Sequence, residues 1–191
     1  MSNRAALPLI STPRLILRLL SSPDAAGAIA YFKENKEHLG QISPLWPLDF
    51  FTEAYWKKQI DKNIQEFQCD QSARFFLFEK DRGNRIIGNV SFNGILRSAA
   101  QFCYLGYGIA QDKQGQGYMS EAVAAALRYV FEEMNIHRVM ANYVPTNERS
   151  GKLLKRLGFV VEGYARDYLN LNGKWQDHIL TSIVNPDWKL R

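Results

Sequence analysis

The stretch GIAQDKQGQGYMSEAVAAALRYVFEEM, residues 108–134, decides how the chain folds. Gly115 and Gly117 stand one residue apart, between an apolar, strand-like run and a long amphipathic segment. Glycine lets the backbone turn tightly and bring its N–H groups close to a bound group. A helix that begins directly afterwards aims its unpaired N–H groups, and the positive end of its dipole, at the same point. The pattern therefore predicts an anion site suited to a phosphate or a pyrophosphate.

The composition fits one globular domain spanning residues 1–191. The chain is 46% hydrophobic and 23% charged, which excludes an intrinsically disordered protein. No apolar run approaches the roughly 20 residues that cross a bilayer, so we expect no membrane contact. Arg14 and Arg18 interrupt the apolar stretch near the N-terminus, which argues against a signal peptide and favours a cytoplasmic protein. Cys69 and Cys103 are too few for a metal cluster, and we expect two buried thiols and no metal.

Charge is spread along the sequence rather than gathered in one block. The 24 Lys and Arg residues outnumber the 19 Asp and Glu residues and give a net charge of +5. Because the basic residues are dispersed, a dedicated nucleic-acid arm is not expected. A weak contact with an acidic partner, a phosphorylated cofactor, the ribosome or RNA stays open.

Hydrophobic spacing predicts an alternation of helices and strands. From Ala122 to Met134, apolar residues recur at i, i+3 and i+4, which predicts a helix of about four turns. Asn172-Gly173 predicts a tight hairpin turn. Further helices are predicted at 22–39, at 52–68 with Thr52 as its cap, and at 147–157 with Asn147 as its cap and Gly158 after its end. Strands are predicted at 14–20, 73–80, 85–95, 101–110, 137–145, 159–169 and 176–184. A loop is predicted at 42–50.

The order of these elements constrains the sheet. The three strands between residues 73 and 110 have short connections, which predicts an antiparallel meander. The helix after the glycine pair then crosses over to the next strand. Such a crossover requires at least one parallel or split pair of strands in a sheet that is otherwise mostly antiparallel.

A second signature lies about 30 residues after the glycine pair. The segment NERSGKLLKRLGF, residues 147–159, joins an Asn-capped helix to a glycine and a phenylalanine. The order of strand, Gly-x-Gly turn, helix, strand and capped helix resembles the GNAT N-acetyltransferases, roughly over residues 88–188. The resemblance implies the GNAT acyl-CoA N-acyltransferase fold, an α+β (mixed α/β) architecture with a mostly antiparallel central sheet and helices on both faces. It also implies acetyl-CoA as the co-substrate.

In that family the turn has the form Arg/Gln-x-x-Gly-x-Gly/Ala, and its amides hold the pyrophosphate of acetyl-CoA. Here Asp112 occupies the Arg/Gln place, so we expect its carboxylate to point away from the ligand. Lys113, Gln114 and Gln116 could supply side-chain donors or positive charge. The residues that the resemblance assigns to the coenzyme are Ile109, Ala110, Gln114, Gly115, Gln116, Gly117, Tyr118, Met119, Ser120, Asn142, Asn147, Ser150 and Arg156.

The resemblance is weakest at the catalytic acid and base. Leu154 stands where many relatives carry a proton-donating tyrosine, and Tyr104 stands where many carry a glutamate. Ser150 or a water molecule could protonate the leaving thiolate, and Asn142 is a candidate ligand for the pantetheine arm or for a water. The candidate catalytic residues are therefore Ser150, Tyr104 and Asn142. A backbone N–H near residues 108–110 is the expected donor to the developing negative charge.

Several other residues have two readings. Gly106 and Gly108 suit a strand that bends or bulges to admit the pantetheine arm, or that merely curves. His178 is a candidate base or a structural partner of Asp177. Lys152 and Lys155 could meet the 3′-phosphate of the coenzyme or lie on a solvated helix face. Glu121 is expected to complement the helix dipole, His137 to pack, and Glu162 and Asp167 to attract an amine. The loop SPLWPLDFF, residues 43–51, could form one wall of a peptide groove or part of the core.

The acceptor of the acetyl group is the least determined part of the function. Segments such as YLGYGIAQ and EGYARDYL resemble the ribosomal-protein alanine N-acetyltransferases, which implies the N-terminal α-amine of a ribosomal protein beginning with alanine. One alternative is a small-molecule amine. Another is a non-catalytic ribosome- or RNA-binding module with the same fold. The expected assembly is a monomer or a homodimer.

Overall fold

The central feature of the computed structural model, which describes residues 6–190, is one eight-stranded sheet. The strands are β1 (Leu9–Ser11), β2 (Leu15–Arg18), β3 (Ala73–Glu79), β4 (Ile86–Leu96), β5 (Phe102–Ile109), β6 (Arg138–Tyr143), β7 (Val160–Leu171) and β8 (Lys174–Val184). They lie in the order β1-β2-β3-β4-β5-β6-β8-β7. All of these strands except β1 were expected from the sequence.

Neighbouring strands pair antiparallel, with one exception. β5 and β6 run parallel, which confirms the meander of β3, β4 and β5 and the parallel pair expected after it. A parallel pair cannot be joined by a tight turn, and here the helix α4 (Tyr118–Glu132) makes the crossover. The hairpin between β7 and β8 turns at Asn172 and Gly173, whose φ angles of 48° and 77° fit the turn that this dipeptide favours.

Helices cover both faces of the sheet. Besides α4 they are α1 (Ala25–Glu34), α2 (Lys36–Gly40), α3 (Glu53–Gln68) and α5 (Glu148–Arg156). Successive side chains of a strand point to opposite faces, and β3 shows the consequence. Phe75 and Leu77 pack in the cluster that contains buried residues of α4 and α5, whereas Phe76 and Phe78 pack in the cluster of α1 and α3.

The helix expected at 22–39 is interrupted. Residues Ser22–Asp24 form a single 3-10 turn, and α1 ends at Asn35, where φ is −111° and ψ is 20°. The Asn35 side chain donates to the Tyr31 carbonyl at 2.8 Å and accepts a hydrogen bond from the Gln111 N–H at 2.8 Å. The break therefore ties the end of α1 to the segment directly ahead of the glycine turn.

The start of α3 and the end of α5 are as expected, whereas the expectation for one of the two cysteines is wrong. The Thr52 hydroxyl accepts from the Tyr55 N–H and caps α3, and Gly158 follows α5 with φ of 89°. Cys103 is buried, but Cys69 is exposed, since it lies in the turn that ends α3. No helix within residues 6–190 is both long and apolar enough to cross a membrane. Nor does this part of the chain gather three or more His, Cys, Asp or Glu side chains that could hold a metal ion.

Candidate active site

The glycine turn leaves a row of backbone donors unpaired. Gly115 and Gly117 have φ of 74° and 80°, a left-handed conformation that residues with a Cβ rarely adopt. Gly117 is the N-cap of α4, and the first helical bond runs from the Glu121 N–H to its carbonyl at 3.1 Å. Among residues 6–190 the N–H groups of 118–120 have no acceptor. A Cβ built on Gly115 would meet nothing within 4 Å, so the turn borders open space.

The polar side chains of the turn serve to hold it in place. Lys113 forms an ion pair with Glu79 at 2.8 Å, with the two side chains only 11% and 9% exposed. The Gln116 side chain donates to the Asp112 carbonyl at 2.8 Å. The charge of Lys113 is therefore balanced within the protein, contrary to the expectation that it serves a ligand, whereas Gln116 keeps one of its two amide N–H donors. The turn gains a fixed shape instead.

Asp112 points toward a cation of the protein. Its carboxylate lies 3.2 Å from the Arg85 guanidinium, which also pairs with Glu34 at 3.2 Å. An acidic residue in the place where the family carries Arg or Gln is thus offset by Arg85. This arrangement agrees with the expectation that the carboxylate faces away from the row of free amides.

Two arginines that sequence reasoning missed lie at the turn. Arg149, in the first turn of α5, donates to the Gln114 side-chain oxygen, and the Gln114 amide nitrogen lies 2.7 Å from His38 Nε2. Arg14 donates to the Gln116 carbonyl at 3.0 Å, and its guanidinium lies 4.3 Å from the centroid of the Tyr118 ring. Arg149 falls inside the second signature and could have been found there. Arg14 could not, because it precedes its partner Gln116 by about 100 residues of sequence.

Glu121 has a role beyond the one expected. It lies in the first turn of α4, but its carboxylate accepts hydrogen bonds from the Thr12 hydroxyl at 2.6 Å and from Arg14 Nε at 2.6 Å. Burial alone would raise the pKa of Glu121, but the hydrogen bonds and charge from Thr12 and Arg14 outweigh it and lower that pKa. Glu121 therefore fastens the segment between β1 and β2 to the start of α4.

The sheet opens between β5 and β6. The parallel pairing covers only three positions, from Phe102 with Arg138 to Tyr104 with Met140. Both strands continue beyond it, β5 to Ile109 and β6 to Tyr143. We call the unpaired stretch, residues 105–109 facing 141–143, the β5–β6 opening. An extended ligand can lie there and bond to strand backbone on either side.

Backbone alternation decides which donors face the opening. In an antiparallel ladder the N–H and C=O of one residue point to the same side, and the next residue points the other way. The Ala110 N–H donates to the Ile87 carbonyl at 2.8 Å, and Gly108 pairs with Asn89 in the same register. Both are directed at β4, so within 108–110 only Ile109 faces the opening.

Gly106 and Gly108 do not mark a bulge. The β4–β5 register runs without a shift from Gly88 to Asn93, so of the bend, the bulge and the simple curvature expected at these glycines, the bulge is excluded. A Cβ on Gly108 would approach Asn89 Oδ1 and Leu39 Cδ2 at 3.2 Å, so close packing is its requirement. The β5–β6 opening arises instead where the parallel pairing ends.

Ser150 meets an unexpected partner at the opening. Its hydroxyl lies 2.6 Å from that of Tyr107, and the two share a hydrogen bond. Asn147 caps α5 as expected, because its side-chain oxygen accepts from the Ser150 N–H at 3.1 Å. Burial raises the pKa of Tyr107 to about 12, so its hydroxyl stays protonated at neutral pH. Leu154, in the place of the usual tyrosine, is buried in the core.

On the other face of the sheet, Tyr104 and Asn142 belong to a second polar group. Asn142 accepts from the Thr181 N–H at 3.3 Å and donates to the Tyr168 hydroxyl at 3.2 Å. Tyr104 is 39% exposed and lies at the last position at which β5 pairs with β6. The Tyr168 ring lies 5.5 Å from that of His178. Tyr168 did not stand out in the sequence, and no local pattern marks it.

His178 and Asp177 do not bond to each other. His178 is buried, and its Nδ1 donates to the Gln176 carbonyl at 2.9 Å. Asp177 points to the opposite face, where it accepts from the Tyr164 hydroxyl and from the Asp167 N–H at 2.9 Å. Consecutive strand residues face opposite ways, which separates the two side chains.

The remaining candidates are mostly structural. Glu162 forms an ion pair with Arg138, so its charge is compensated rather than offered to an amine. His137 packs on Trp188, with ring centroids 5.5 Å apart. The basic residues of α5 lie on an exposed helix face, where Lys152 pairs with Glu148 at 2.9 Å and Lys155 and Arg156 form no ion pair within residues 6–190.

The loop at 43–51 combines core and surface. Trp46 and Phe50 stack with centroids 4.7 Å apart and join the cluster of α1 and α3, whereas Leu45 and Leu48 are exposed. The Ser43 carbonyl accepts from the Asn172 N–H at 2.9 Å. The start of the loop therefore contacts the tip of the β7–β8 hairpin, and together they border the face of the sheet that carries Tyr104 and Asn142.

The family follows from a match over most of this geometry. The model of the acetyltransferase (GNAT) domain matches residues 14–160, which include the glycine turn, the β5–β6 opening and α5. The chain belongs to the GNAT acetyltransferase family. Among curated relatives, the ribosomal protein uS5-alanine N-acetyltransferase of Escherichia coli (strain K12) is 43% identical to this GNAT chain over 180 residues, 94% of this chain and 92% of that protein. The probable N-acetyltransferase YjcK of Bacillus subtilis (strain 168) is 33% identical and covers 91% of this chain and 95% of its own length.

Solved structures agree with the GNAT assignment. Ribosomal-protein-S5-alanine acetyltransferase from Vibrio fischeri has a TM-score of 0.91 and 37% identity, with 96% of this chain and 100% of that chain covered. RimL, a ribosomal L7/L12 α-N-protein acetyltransferase solved in complex with coenzyme A, has a TM-score of 0.83 and 25% identity, with 93% and 98% covered. These likenesses confirm the GNAT fold expected from the sequence.

Proposed function

We propose that this GNAT enzyme transfers an acetyl group from acetyl-CoA to the N-terminal α-amine of a ribosomal protein that begins with alanine. The observation that carries the proposal is the 43% identity, over nearly the whole of both chains, to an enzyme named for that reaction. The reaction would take place where ribosomal proteins are made, in the cytoplasm. The geometry of the turn and of the opening is consistent with each step.

The glycine turn and the first turn of α4 would hold the pyrophosphate of the coenzyme. The unpaired N–H groups of 118–120 point out of the helix end, and the left-handed glycines keep the approach free of Cβ atoms. Arg149 adds positive charge at Gln114 in the same turn, whereas Arg14, whose charge Glu121 balances, holds the Gln116 carbonyl in place. The β5–β6 opening suits the pantetheine arm, because Ile109 faces it with free backbone groups. Bound there, acetyl-CoA supplies an activated acetyl thioester.

Ser150 would protonate the leaving sulfur. Because Tyr107 stays protonated, its hydroxyl can donate to Ser150 Oγ and leave the Ser150 proton free to face the opening. A thiol has an ordinary pKa near 8.5, so a thiolate leaves with modest assistance. A hydroxyl pair of this kind can therefore replace the tyrosine that Leu154 cannot supply.

The chain would bind the amine on the face of the sheet opposite Ser150. An α-amine has an ordinary pKa of about 8 and is partly neutral at pH 7, so it needs orientation more than a strong base. Tyr104 and Asn142 lie at the edge of the opening on this face. The start of the 43–51 loop and the tip of the hairpin border this face and would flank the entering peptide.

Acetyl transfer to synthetic peptides tests the proposal. The protein is incubated with acetyl-CoA and a peptide starting with alanine, and released thiol is measured together with the mass of the peptide. We expect stoichiometric thiol release and a single acetyl group on the α-amine. Release only with a polyamine or another small amine would favour the small-molecule reading. No release with any amine, together with tight RNA binding, would favour the non-catalytic module.

A further inference from the structure

We propose that Tyr168 binds the acceptor amine, at a point between Tyr104 and Asn142 on the face of the sheet opposite Ser150. The inference rests on the proposed function and deepens it, since it assigns the acceptor to a residue outside the two GNAT signatures. It is carried by an irregularity of β7, by the hydrogen bond of the Tyr168 hydroxyl and by the open space beside it.

A double bulge aims Tyr168 inward. Ala165 pairs with His178 and Leu169 pairs with Gln176, so residues 166–168 of β7 stand opposite Asp177 alone. Asp167 adopts φ of 46°, and its N–H donates to the Asp177 carboxylate at 2.9 Å, which pins the bulge. Bulges of this kind redirect side chains and are common beside active sites. Here the bulge carries the Tyr168 ring over His178, across β8, until its hydroxyl reaches Asn142 on β6.

The hydroxyl of Tyr168 keeps unused hydrogen-bonding capacity. A phenol has one donor and two acceptor lone pairs, and the Asn142 side-chain N–H occupies one lone pair. The second lone pair can accept an N–H of an amine, which leaves the nitrogen lone pair free to attack. Burial is the main cause that raises the pKa of Tyr168, and the charge and hydrogen bonding of the nearby Tyr104 raise it further. The group therefore stays a neutral phenol at neutral pH.

Space for an acceptor lies beside these residues. Gly106 lies two residues after Tyr104, on the same face of β5. Leaving aside the adjoining residues of β5, a Cβ built on Gly106 would have one neighbour within 4 Å among residues 6–190, namely Ser91 Oγ at 3.2 Å. At Gly108, by contrast, Leu39 and Asn89 already fill the corresponding position. The strand is therefore uncovered next to Tyr104 and covered one step further on. An amine bound over Gly106 would lie at the β5 edge of the β5–β6 opening, and the Tyr168 hydroxyl lies across that opening, beside Asn142 on β6.

The test is Tyr168→Phe, which removes one oxygen and keeps the ring on His178. The matched control is Tyr164→Phe, on the same strand, whose hydroxyl bonds to Asp177 on the other face. Each protein is assayed for its melting temperature, its Kd for coenzyme A, its Kd for an alanine-starting peptide in the presence of coenzyme A, and kcat and KM for both substrates. We expect Tyr168→Phe to weaken peptide binding and to lower kcat/KM for the peptide by about tenfold or more, with unchanged coenzyme Kd and melting temperature.

Tyr164→Phe should match the wild type in every kinetic measurement, because the Asp167 N–H bonds to the other oxygen of Asp177 and still holds the bulge. The inference is overturned if Tyr168→Phe retains peptide Kd and kcat/KM within about twofold of the wild type, or if Tyr164→Phe loses as much. It is also overturned if the loss appears in the Kd for coenzyme A. An active wild type with an unaffected Tyr168→Phe contradicts this inference alone. A wild type that acetylates no alanine-starting peptide contradicts the proposed function and this inference with it.

Discussion

At Gly117 the backbone is left-handed, and the next residue is the first of α4. A Trp at this position would strain the turn by about 1–2 kcal/mol and place its ring among the free amides. We expect Gly117→Trp to raise the Kd for coenzyme A roughly 100-fold, which corresponds to about 2.7 kcal/mol. Isothermal calorimetry with coenzyme A measures the change.

Gly83 offers a matched control for that substitution. It has φ of 68° in the turn between β3 and β4, and a Cβ there would meet nothing within 4 Å. Gly83→Trp should therefore carry the same backbone strain and leave the Kd for coenzyme A unchanged. If a folded Gly117→Trp protein binds coenzyme A as tightly as the wild type, the pyrophosphate does not lie at this turn.

Ser150 and Tyr107 should behave as one unit in catalysis. Ser150→Ala removes the hydroxyl but keeps the N–H that Asn147 caps, so we expect kcat to fall about 10- to 100-fold with little change in KM. Tyr107→Phe should lower kcat less, because it acts through Ser150. The double variant should be no slower than Ser150→Ala, and steady-state kinetics of the three proteins checks this. Fully additive losses would mean that the two hydroxyls act independently.

Local patterns predicted the conformation of some candidate residues and could not predict the contacts of others. Gly117 and Asn147 were found because a left-handed turn and a helix cap depend on a few adjacent residues. Tyr107 was missed because its partner Ser150 lies 43 residues further along the chain. Lys113 was misjudged for the same reason, since Glu79, which neutralises it, precedes it by 34 residues.

At the scale of the helix, the Asn147 cap combines a structural role with a proposed ligand contact. Asn147→Ala should lower the free energy of unfolding by about 1 kcal/mol, as the loss of a cap usually does. Thr52→Ala removes the equivalent cap of α3, where no coenzyme contact is proposed. We expect both variants to lose similar stability in urea unfolding, and only Asn147→Ala to bind coenzyme A more weakly. If Asn147→Ala binds coenzyme A as tightly as Thr52→Ala does, Asn147 caps the helix and does not contact the coenzyme.

The junction of β2 and α1 should respond to acid. Burial would raise the pKa of Asp24, but hydrogen bonds from Arg18 and Ser21 outweigh it and lower that pKa from 3.8 to about 2. Because the folded pKa lies below the unfolded one, the stabilisation is complete above about pH 4 and is lost as the pH falls toward 2. Asp24→Asn should unfold roughly 2 kcal/mol more easily than the wild type at pH 6.

Urea unfolding of both proteins at several pH values measures this effect. The difference between them should shrink as the pH falls from 4 to 2, since the wild-type carboxylate then becomes protonated. A difference that stays constant down to pH 2 would show that Asp24 contributes by shape rather than by charge.

Elements were predictable where one residue type decides them, and unpredictable where distant contacts do. The hairpin at Asn172-Gly173 was found because that dipeptide favours left-handed φ angles. The break at Asn35 was not, because it depends on a bond to Gln111, 76 residues away. The double bulge before Leu169 is held by a hydrogen bond from the Asp167 N–H to Asp177 on the neighbouring strand, and the sequence of residues 166–168 does not predict it.

For the whole molecule, the order of elements was enough to predict a mostly antiparallel sheet with a meander, but not the order of its strands. A meander followed by a helical crossover requires at least one parallel or split pair, and β5–β6 is that pair. The place where the pair separates could not be read from the strand sequences, because both strands continue past it. The join of the 43–51 loop to the hairpin tip is equally distant in sequence, from Ser43 to Asn172. These two long-range features shape the site, and local spacing does not encode them.

Ionisation predicts selectivity for chain ends. The ordinary pKa is about 8 for an α-amine and 10.4 for lysine, so that at pH 7 the neutral fraction of the amine differs roughly 200-fold. We expect a peptide with both a free N-terminal alanine and an internal lysine to be acetylated on the α-amine alone, as located by tandem mass spectrometry. A peptide whose N-terminus is already acetylated should release no thiol, and comparable acetylation of its lysine would contradict the chain-end assignment.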